Sequence, residues 1–423
     1  MGLKKRIKEL EEENKFLKET ILALTKRIEE LESLVKEKSR PSFVKEDMRS
    51  YNHKSGQKEG HEGVSRETPK KIDEVKKWDT KECPDCGTKL SKIQRKRKRC
   101  ITDIEVKTKN TENIICGRYC KNCDKIVEAK VTDALPNARF GLRLMLFVLA
   151  LKLDSRVPSN KIVSILNTIF QIKISDGEIY RILKQLKTAF GDYYQELEKK
   201  IKEALVKNID ETSWRVNGQN NWLWIFINKE VALYVVNKRR SSKVPIKILG
   251  NQEGKMIIDD RFSAYNELAK VSECKQQICW THLLRNSKDL AEHYDEAKYI
   301  HKRMKYIYEK AKNNEKKEAL LHWIDLIASR DYKSSEVYKF VKSICRSHRE
   351  DLFRFVDNSE IDSTNNRAER GLRHAVVIRK ISNGSRSKDG AEITANLLSV
   401  LQTAKLQSDN PINFISDLLY KGK

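Results

Sequence analysis

The stretch VKNIDETSWRV at residues 206–216 opens the part of the chain that decides its fold. The pattern predicts a β-strand here, followed by a turn at NGQN, residues 217–220, and by two further strands. Beyond them, helices and strands alternate. We predict strands at 222–227, 232–237, 255–259 and 276–280, and helices near 241–249, around 265–269 and at 282–292.

Three antiparallel strands followed by alternating helices and strands are the order of a ribonuclease H-like core. In that order Asp210, on the first strand, and Asp260, after the fourth, become neighbours. Residues 293–357 are predicted to be an inserted helical block, after which the helix carrying Glu369 returns to the sheet. We therefore assign a catalytic core to 206–380 and a C-terminal helical segment to 381–423, within a multidomain α/β chain.

Three acidic residues carry the chemistry that such a core favours. Asp210 and Asp260 each end an apolar run, and Glu369 lies in a polar, helical stretch. Carboxylates at the ends of neighbouring strands, with one from a packed helix, can bind two hard cations, Mg²⁺ or Mn²⁺. Such a pair of ions drives phosphodiester cleavage and transfer. Glu211 and Asp259 stand beside two of these residues, and chemistry alone excludes neither.

The charge of the chain favours a polyanionic partner. Its 423 residues carry a formal net charge of +25, so DNA or an anionic membrane surface would attract it. We expect no membrane span, because the longest apolar run, residues 144–151, is far shorter than the roughly 20 residues that a spanning helix needs. The N-terminus shows no apolar signal core. We therefore expect a cytoplasmic, nucleoid-associated protein whose nine cysteines are reduced.

Residues 1–38 carry a leucine heptad. Leucine recurs at every seventh position, in the set Leu3, Leu10, Leu17, Leu24 and Leu31. β-Branched residues fill four of the five positions in the other seam, and Asn14 fills the fifth. This choice favours a parallel, two-stranded coiled coil whose register is fixed by the Asn14 pair, and hence a homodimer. A helix packed on its own chain is the alternative.

Two Cys-x-x-Cys pairs predict a zinc ribbon at residues 81–130. Each pair places two thiolates on a tight turn, and four sulfurs complete a tetrahedral Zn²⁺ site. The predicted ligands are Cys83, Cys86, Cys120 and Cys123. Cys100 and Cys116 are spare thiols that could replace one of them. Alternating residues at 101–109 predict a strand between the two pairs.

A dense basic run in the ribbon predicts contact with DNA phosphates, although a solvated face is the alternative. The run consists of Arg95, Lys96, Arg97, Lys98 and Arg99. A second basic cluster lies beside the proposed metal site and consists of Arg367, Arg370, Arg373, Arg379 and Lys380. Residues 39–80 are polar and poor in apolar side chains, so we predict a flexible basic linker there.

Residues 137–205 are predicted to be helical. Ser175 followed by Glu178 forms the pattern of a capping box, which starts a helix after a short turn. A helix followed by a short turn and a capped helix is the pattern of a DNA-binding helix-turn-helix. Ordinary packing of helices explains the same pattern equally well. Further on, Cys279 and His282 are too few to bind a metal by themselves, so a capping or orienting role for His282 is preferred.

Together these stretches resemble the insertion sequence 66 family of DDE transposases, over nearly the whole chain. The similar segments are SGQKEGHEG at 55–63, CPDCG at 83–87, YCKNC at 119–123, DET at 210–212, DRFSAY at 260–265, CWTHLLR at 279–285, NRAER at 366–370, NGSRS at 383–387 and LLSVLQT at 397–403. The resemblance implies that Asp210, Asp260 and Glu369 are the catalytic triad. It also implies accessory proteins encoded by the same element.

The chain departs from the family pattern at two places. Lys58-Glu59 stands where the linker usually has proline, and Arg261-Phe262 stands where Gly-Tyr is common. Neither departure touches a proposed metal ligand. We therefore predict a transposase that binds the ends of an insertion sequence and catalyses metal-dependent DNA cleavage and strand transfer. The rival is a non-catalytic DNA-binding regulator, for which the zipper, the ribbon and the basic surface would suffice.

Overall fold

The computed structural model describes residues 18, 21, 24–29, 69, 71–104, 106–129 and 131–421. Most of the coiled coil predicted at 1–38, and of the linker predicted at 39–80, lies outside these residues. Residues 24–29 are helical, and Ile21, Leu24 and Ile28 are exposed. The chain divides into two compact units, residues 1–103 and 104–423, and each is described by itself.

The described part of the first unit contains one tight cysteine turn. Glu82 and Lys89 form an antiparallel bridge, and the N–H of Cys83 donates to the carbonyl of Thr88 at 2.9 Å. Gly87 completes the turn with a φ of +72°, a conformation that glycine adopts without steric cost. The predicted basic run at residues 95–99 is exposed throughout.

The second unit begins with a small hairpin of β1 (Gly117–Cys120) and β2 (Lys125–Glu128). Its turn carries Cys123, and β1 ends at Cys120. The strand predicted at 101–109 was wrong, because the described residues of that range form no strand. Alternating apolar and polar residues do not by themselves provide a neighbouring strand. The segments before and after the Cys120–Cys123 turn do form strands, because they pair with each other as β1 and β2.

The helices of the second unit are numbered here in chain order. They are α1 (Leu142–Leu149), α2 (Ser159–Thr168), α3 (Asp176–Ala189), α4 (Gly191–Glu203), α5 (Lys243–Leu249), α6 (Ser263–Ser272), α7 (Trp280–His293), α8 (Asp295–Lys312), α9 (Lys317–Ala328), α10 (Ser335–Lys342), α11 (Arg354–Asp357), α12 (Asn366–Ser382), α13 (Lys388–Gln407) and α14 (Pro411–Lys421). Short π-helical turns follow α1 and α10, at Ala150–Asp154 and Ser343–Ser347. None of the helices in the described ranges is long and apolar enough to cross a membrane.

A five-stranded mixed sheet forms the centre of the unit. Its strands are β3 (Val206–Val216), β4 (Gln219–Ile227), β5 (Ala232–Asn237), β6 (Met256–Asp259) and β7 (Lys275–Ile278), in the order β5-β4-β3-β6-β7. The first three strands are antiparallel along the chain, whereas β6 is parallel to both β3 and β7. The predicted strand at 276–280 ends earlier, because Trp280 already begins α7. This α/β arrangement is compatible with a DDE-type core.

One hydrophobic core joins segments that the sequence assigned to three domains. Leu142 of α1, Ile162 of α2 and Ile179 of α3 belong to the same buried cluster as Ile225 of β4 and Leu397 of α13. The helices predicted at 137–205 and the segment predicted at 381–423 are therefore packed onto the sheet. Ser175 and Glu178 form the expected capping box at the start of α3.

Helix α13 covers the edge strand β5. The hydroxyl of Ser399 accepts the N–H of Tyr234 at 2.8 Å, and the hydroxyl of Thr403 accepts the N–H of Ala232 at 3.1 Å. These side chains replace the partners that a neighbouring strand would supply, so two backbone donors of this edge are satisfied.

The helical insertion between β7 and α12 has a core of its own. Trp280, at the start of α7, stacks on Tyr308 of α8 with ring centroids 5.0 Å apart. Its indole N–H donates to the carbonyl of Leu352 at 2.7 Å. The insertion runs from α8 to α11, near the predicted range of 293–357, and Trp280 attaches it to the end of the sheet.

Candidate active site

The alternation of β3 sends Asp210 and Glu211 to opposite faces of the sheet. Asn208 lies on the same face as Asp210, and its side-chain amide donates to Asn365, immediately before α12, at 3.1 Å. Thr212, two residues beyond Asp210, accepts the guanidinium of Arg379 of α12 at 3.0 Å. Asp210 therefore faces the helix that carries Glu369.

Asp260 follows the end of β6 on the same face as Asp210. Asn208 pairs with Ile258 in the parallel register of β3 and β6, and the two aspartates stand two residues beyond that pair. One oxygen of Asp210 accepts the N–H of Glu211 at 2.8 Å, and one oxygen of Asp260 accepts the N–H of Phe262 at 3.1 Å. In the described part of the chain, neither second oxygen has a hydrogen-bond donor.

Glu369 lies in the first turn of α12, which Asn365 attaches to β3. The side-chain amide of Asn365 donates to the carbonyl of Ile209 at 2.8 Å, and its backbone N–H donates to the sulfur of Cys279 at 3.1 Å. Burial raises the pKa of Asp210 well above its usual value, and the charges of Asp260, Glu211 and Glu369 raise it further. The charges of the other two predicted carboxylates thus both act on Asp210.

The two rival carboxylates have protein partners on the other face. Glu211 accepts the hydroxyl of Tyr265 and the guanidinium of Arg240, whose bond measures 2.8 Å. Asp259 is fully buried, accepts the amide of Gln276 at 3.0 Å, and has its pKa raised to about 7 by that burial. Both therefore support the structure around the site.

Arg261 adopts a left-handed backbone conformation beside Asp260. Its φ is +70°, in a region that favours glycine. This conformation is consistent with the family's common glycine at the position. The guanidinium lies over the ring of Phe340 of α10, 5.4 Å from its centroid, and its Nη1 is a buried atom without a hydrogen-bond partner in the described structure.

Cys279, His282 and Glu369 form the tightest group of metal-ligating side chains in the described ranges. Their ligand atoms all lie within 4.8 Å of one another, a distance that the three carboxylates do not share. The Nδ1 of His282 and Oε1 of Glu369 are 3.6 Å apart. Both atoms are buried and have no hydrogen-bond partner within the part of the chain that the structure describes.

Each cysteine turn of the predicted ribbon is preorganised locally. Hydrogen bonds from Thr88 hold the pKa of the Cys86 thiol below its usual value. Hydrogen bonds from Cys123 do the same for the pKa of Cys120. A lowered thiol pKa suits metal binding, and the closure of one Zn²⁺ site by all four cysteines stays a prediction.

The basic residues predicted on α12 fall into two groups. Arg367 forms an ion pair with Asp362 at 3.0 Å, and Arg379 bonds to Thr212 and Ser213 of β3, so both support the fold. The other three members are exposed and open to a ligand; they are Arg370, Arg373 and Lys380.

Side chains of α3 are engaged with α13. Asp389 accepts the hydroxyl of Tyr180 and forms an ion pair with Lys184 at 3.1 Å. Lys187 pairs with Glu392 at 3.1 Å. These contacts give α3 a packing role, and its use as a DNA-binding helix stays a prediction.

Sequence reasoning missed the residues that hold the site together. Asn365 adjoins the recognised NRAER segment, but its bond to β3 spans 156 residues of sequence. Tyr265 lies in the DRFSAY segment and was assigned only to a helix. Gly371, where α12 leaves no room for a Cβ beside Ile225 of β4, carried no local signal.

Two comparisons with known proteins bear on this site. No curated protein has a matching sequence. The family model described as "Transposase IS66 family" matches residues 137–393, which is more than half of the chain and includes every strand of the sheet and α12. The chain therefore belongs to the IS66 family of transposases.

Proposed function

We propose that this transposase has a ribonuclease H-like core in which Asp210, Asp260 and Glu369 hold the divalent cations of a DDE-type site. One observation carries the proposal: Asp210 lies within β3 and Asp260 follows the adjacent parallel strand β6, on the sheet face to which α12 brings Glu369. Carboxylates brought to one face of a sheet in this way can supply the oxygen ligands that hard divalent cations prefer.

The residues fit Mg²⁺ or Mn²⁺. All three proposed ligands are carboxylates, and hard cations prefer oxygen ligands. Oε1 of Glu369 is buried and unpartnered among the described residues, and the neighbouring negative charges raise the pKa of Asp210. Cations would relieve this repulsion. When bound, such ions supply Lewis acidity and charge neutralisation for displacement at phosphorus.

The surrounding side chains keep the three carboxylates in place. Asn365 ties the start of α12 to β3, which sets the height of Glu369 above the sheet. On the opposite face, Tyr265 and Arg240 hold Glu211 and so fix β3 beneath Asp210. A rigid supporting shell matters because a displacement of about 1 Å in a reacting group can cost about 100-fold in rate.

DNA would reach this face over exposed cations. Arg370, Arg373 and Lys380 project from α12, the helix that carries Glu369, and the run at 95–99 adds further charge in the first unit. We propose that these residues contact the phosphates of the element's ends, and that Zn²⁺ folds the ribbon. A homodimer formed by residues 1–38 and accessory proteins of the same element complete the proposed assembly.

The test is cleavage of DNA that carries the element's own ends, with Mg²⁺ and purified full-length protein. Glu369→Gln keeps the size of the side chain but removes its charge. The substitution should lower the rate of cleavage at least about 100-fold, because substitution of residues that only support metal ligands already costs about 10- to 100-fold. DNA binding should persist. The matched control is Glu360→Gln, an exposed glutamate paired with Lys229, which should cleave like the wild type. Equal cleavage by both variants would remove Glu369 from the site.

The regulator hypothesis is not favoured, since a protein that only binds DNA needs no converging carboxylates. It predicts a different result in the same experiment. Wild-type protein would bind the ends and leave them uncut with either Mg²⁺ or Mn²⁺.

A further inference from the structure

Two buried polar atoms face each other beside the proposed catalytic site without forming a hydrogen bond. They are Nδ1 of His282 and Oε1 of Glu369, 3.6 Å apart. An N–H···O hydrogen bond is normally about 2.7–3.2 Å long. A buried polar atom without a hydrogen-bond partner destabilises the folded state, so such atoms often indicate an ion or ligand that binds there.

The separation suits two ligands of one metal ion. Nitrogen and carboxylate oxygen each lie about 2.0–2.1 Å from Zn²⁺. At a tetrahedral angle, these bond lengths place the two ligand atoms about 3.3 Å apart, and a somewhat wider angle gives the observed spacing. The sulfur of Cys279 is within 4.8 Å of a ligand atom of each of the other two residues and provides a third ligand.

The sulfur of Cys279 is buried and receives backbone N–H donors. The residue stands immediately before α7, is fully buried, and its sulfur accepts the backbone N–H of Asn365 at 3.1 Å. The backbone N–H groups of Thr281 and His282 also bond to it. Burial raises the pKa of the Cys279 thiol, and these three donors oppose that rise, so a metal ion that binds here has to displace the thiol proton.

We propose that Cys279, His282 and Glu369 bind a divalent cation of the zinc class, such as Zn²⁺ or Co²⁺, at a site separate from the four-cysteine ribbon. Sulfur, nitrogen and oxygen ligands select this class over Mg²⁺, which takes oxygen ligands. The metal–sulfur bond forms as the thiol proton leaves to solvent. Three protein ligands leave a fourth tetrahedral position for water.

Glu369 would then be a ligand of either of two metal sites, the proposed catalytic site and the Cys279–His282 site, but not of both at once. If it also holds a catalytic cation, as the proposed function requires, a zinc-class ion on Cys279 and His282 draws that carboxylate away. Excess Zn²⁺ should therefore inhibit cleavage, and excess Mg²⁺ should compete poorly for a ligand set that contains a thiolate. The binding site itself stands on the geometry of the three residues and does not depend on cleavage.

The experiment is an optical titration of zinc-loaded, full-length protein with Co²⁺. Wild-type protein should gain a sulfur-to-cobalt absorption band in the near ultraviolet, and Cys279→Ser should lack the part due to this thiolate. Subtracting the two spectra cancels any cobalt bound by the ribbon. His282→Gln and Glu369→Gln should weaken this Co²⁺ affinity by at least about 10-fold, since even residues behind metal ligands contribute that much.

The matched control is Cys274→Ser. Cys274 precedes β7 and Cys279 follows it, and both are buried, but only Cys279 belongs to the cluster. Identical spectra for wild type and Cys279→Ser, or an equal loss in Cys274→Ser, would overturn the proposal. If Cys279→Ser does not fold, the unchanged affinity of the two glutamine variants would overturn it equally. If the protein shows the Cys279-dependent cobalt band but cannot cleave DNA, only the proposed function is wrong. If it cleaves DNA but shows no such band, only this inference is wrong.

Discussion

Gly371 controls how closely α12 approaches the sheet. A Cβ at this position would lie well under 3.0 Å from Cδ1 of Ile225 on β4, and 3.5 Å from the hydroxyl of Tyr234. That hydroxyl already donates to the carbonyl of Gly371 at 2.9 Å, so the helix is held against the sheet at this point. Gly371→Ala should therefore push α12 away from the strands, and Glu369 with it.

The effect on stability follows from two contributions. Overpacking of a core costs about 1–3 kcal/mol, and the better helix propensity of alanine returns about 1 kcal/mol. We expect Gly371→Ala to lower the free energy of unfolding by roughly 0–2 kcal/mol. Restoring an ordinary contact requires a shift of about 1 Å, which is enough to lower DNA cleavage by about 100-fold. Activity should therefore fall much further than stability.

A double-mutant cycle with Ile225→Val isolates the contact. The valine removes Cδ1 at a cost of about 0.5–1.5 kcal/mol by itself, and it makes room for the new methyl group. Urea unfolding of the four proteins should give a favourable coupling energy of about 1–2 kcal/mol, and cleavage should recover in the double variant. Additivity within about 0.5 kcal/mol, the usual result for independent sites, would refute the reasoning.

Four further outcomes are expected. Burial lowers the pKa of Lys207 to about 7. Between this pH and the unfolded pKa of about 10.4, the unfolded chain binds more protons than the folded one, so the free energy of unfolding rises with pH by up to about 1.4 kcal/mol per pH unit. Urea unfolding of Lys207→Met at several pH values should show no such rise. At Arg261, glycine should give a more stable protein than alanine by about 1–2 kcal/mol, because φ is positive there; equal melting of the two variants would contradict this. Elemental analysis should find zinc at the ribbon, and Cys120→Ser should lose it. In a peptide of residues 1–38, Asn14→Ile should raise the melting temperature and make the oligomeric state less specific, so that analytical ultracentrifugation finds species other than the dimer.

Local pattern was enough to predict the strands but not the cores they share. Apolar runs ending at turns gave β3 to β6 to within a few residues, because a buried strand needs such a run. Helices α1 to α3 were recognised as helices, yet nothing in their periodicity indicates that they share a core with β4 and α13. That packing depends on surfaces far apart in sequence, and sequence periodicity carries no information about it.

At the candidate site, too, local pattern predicted the individual residues but not their long-range contacts. The sequence left Glu211 and Asp259 open as rivals, because a strand's alternation defines two faces without telling which one a distant helix will cover. In the fold, Asn365 attaches the start of α12 to the face of Asn208 and Asp210 by bonding to the side chain of Asn208 and the backbone of Ile209. Arg261 was noted as a departure from the family's glycine, but its left-handed backbone could only be seen in the fold.

The hydroxyls of Ser399 and Thr403 have a consequence for synthesis on the ribosome. Strand β5 ends at Asn237, and the helix that covers its edge is complete only after about 170 more residues. At about 5–20 residues per second, the nascent chain exposes that edge for roughly 10–30 s. Any product that terminates before Ser399 would leave the edge open permanently, and an open edge can pair with another chain. Premature stop codons late in the gene should therefore yield aggregates rather than shortened but folded protein.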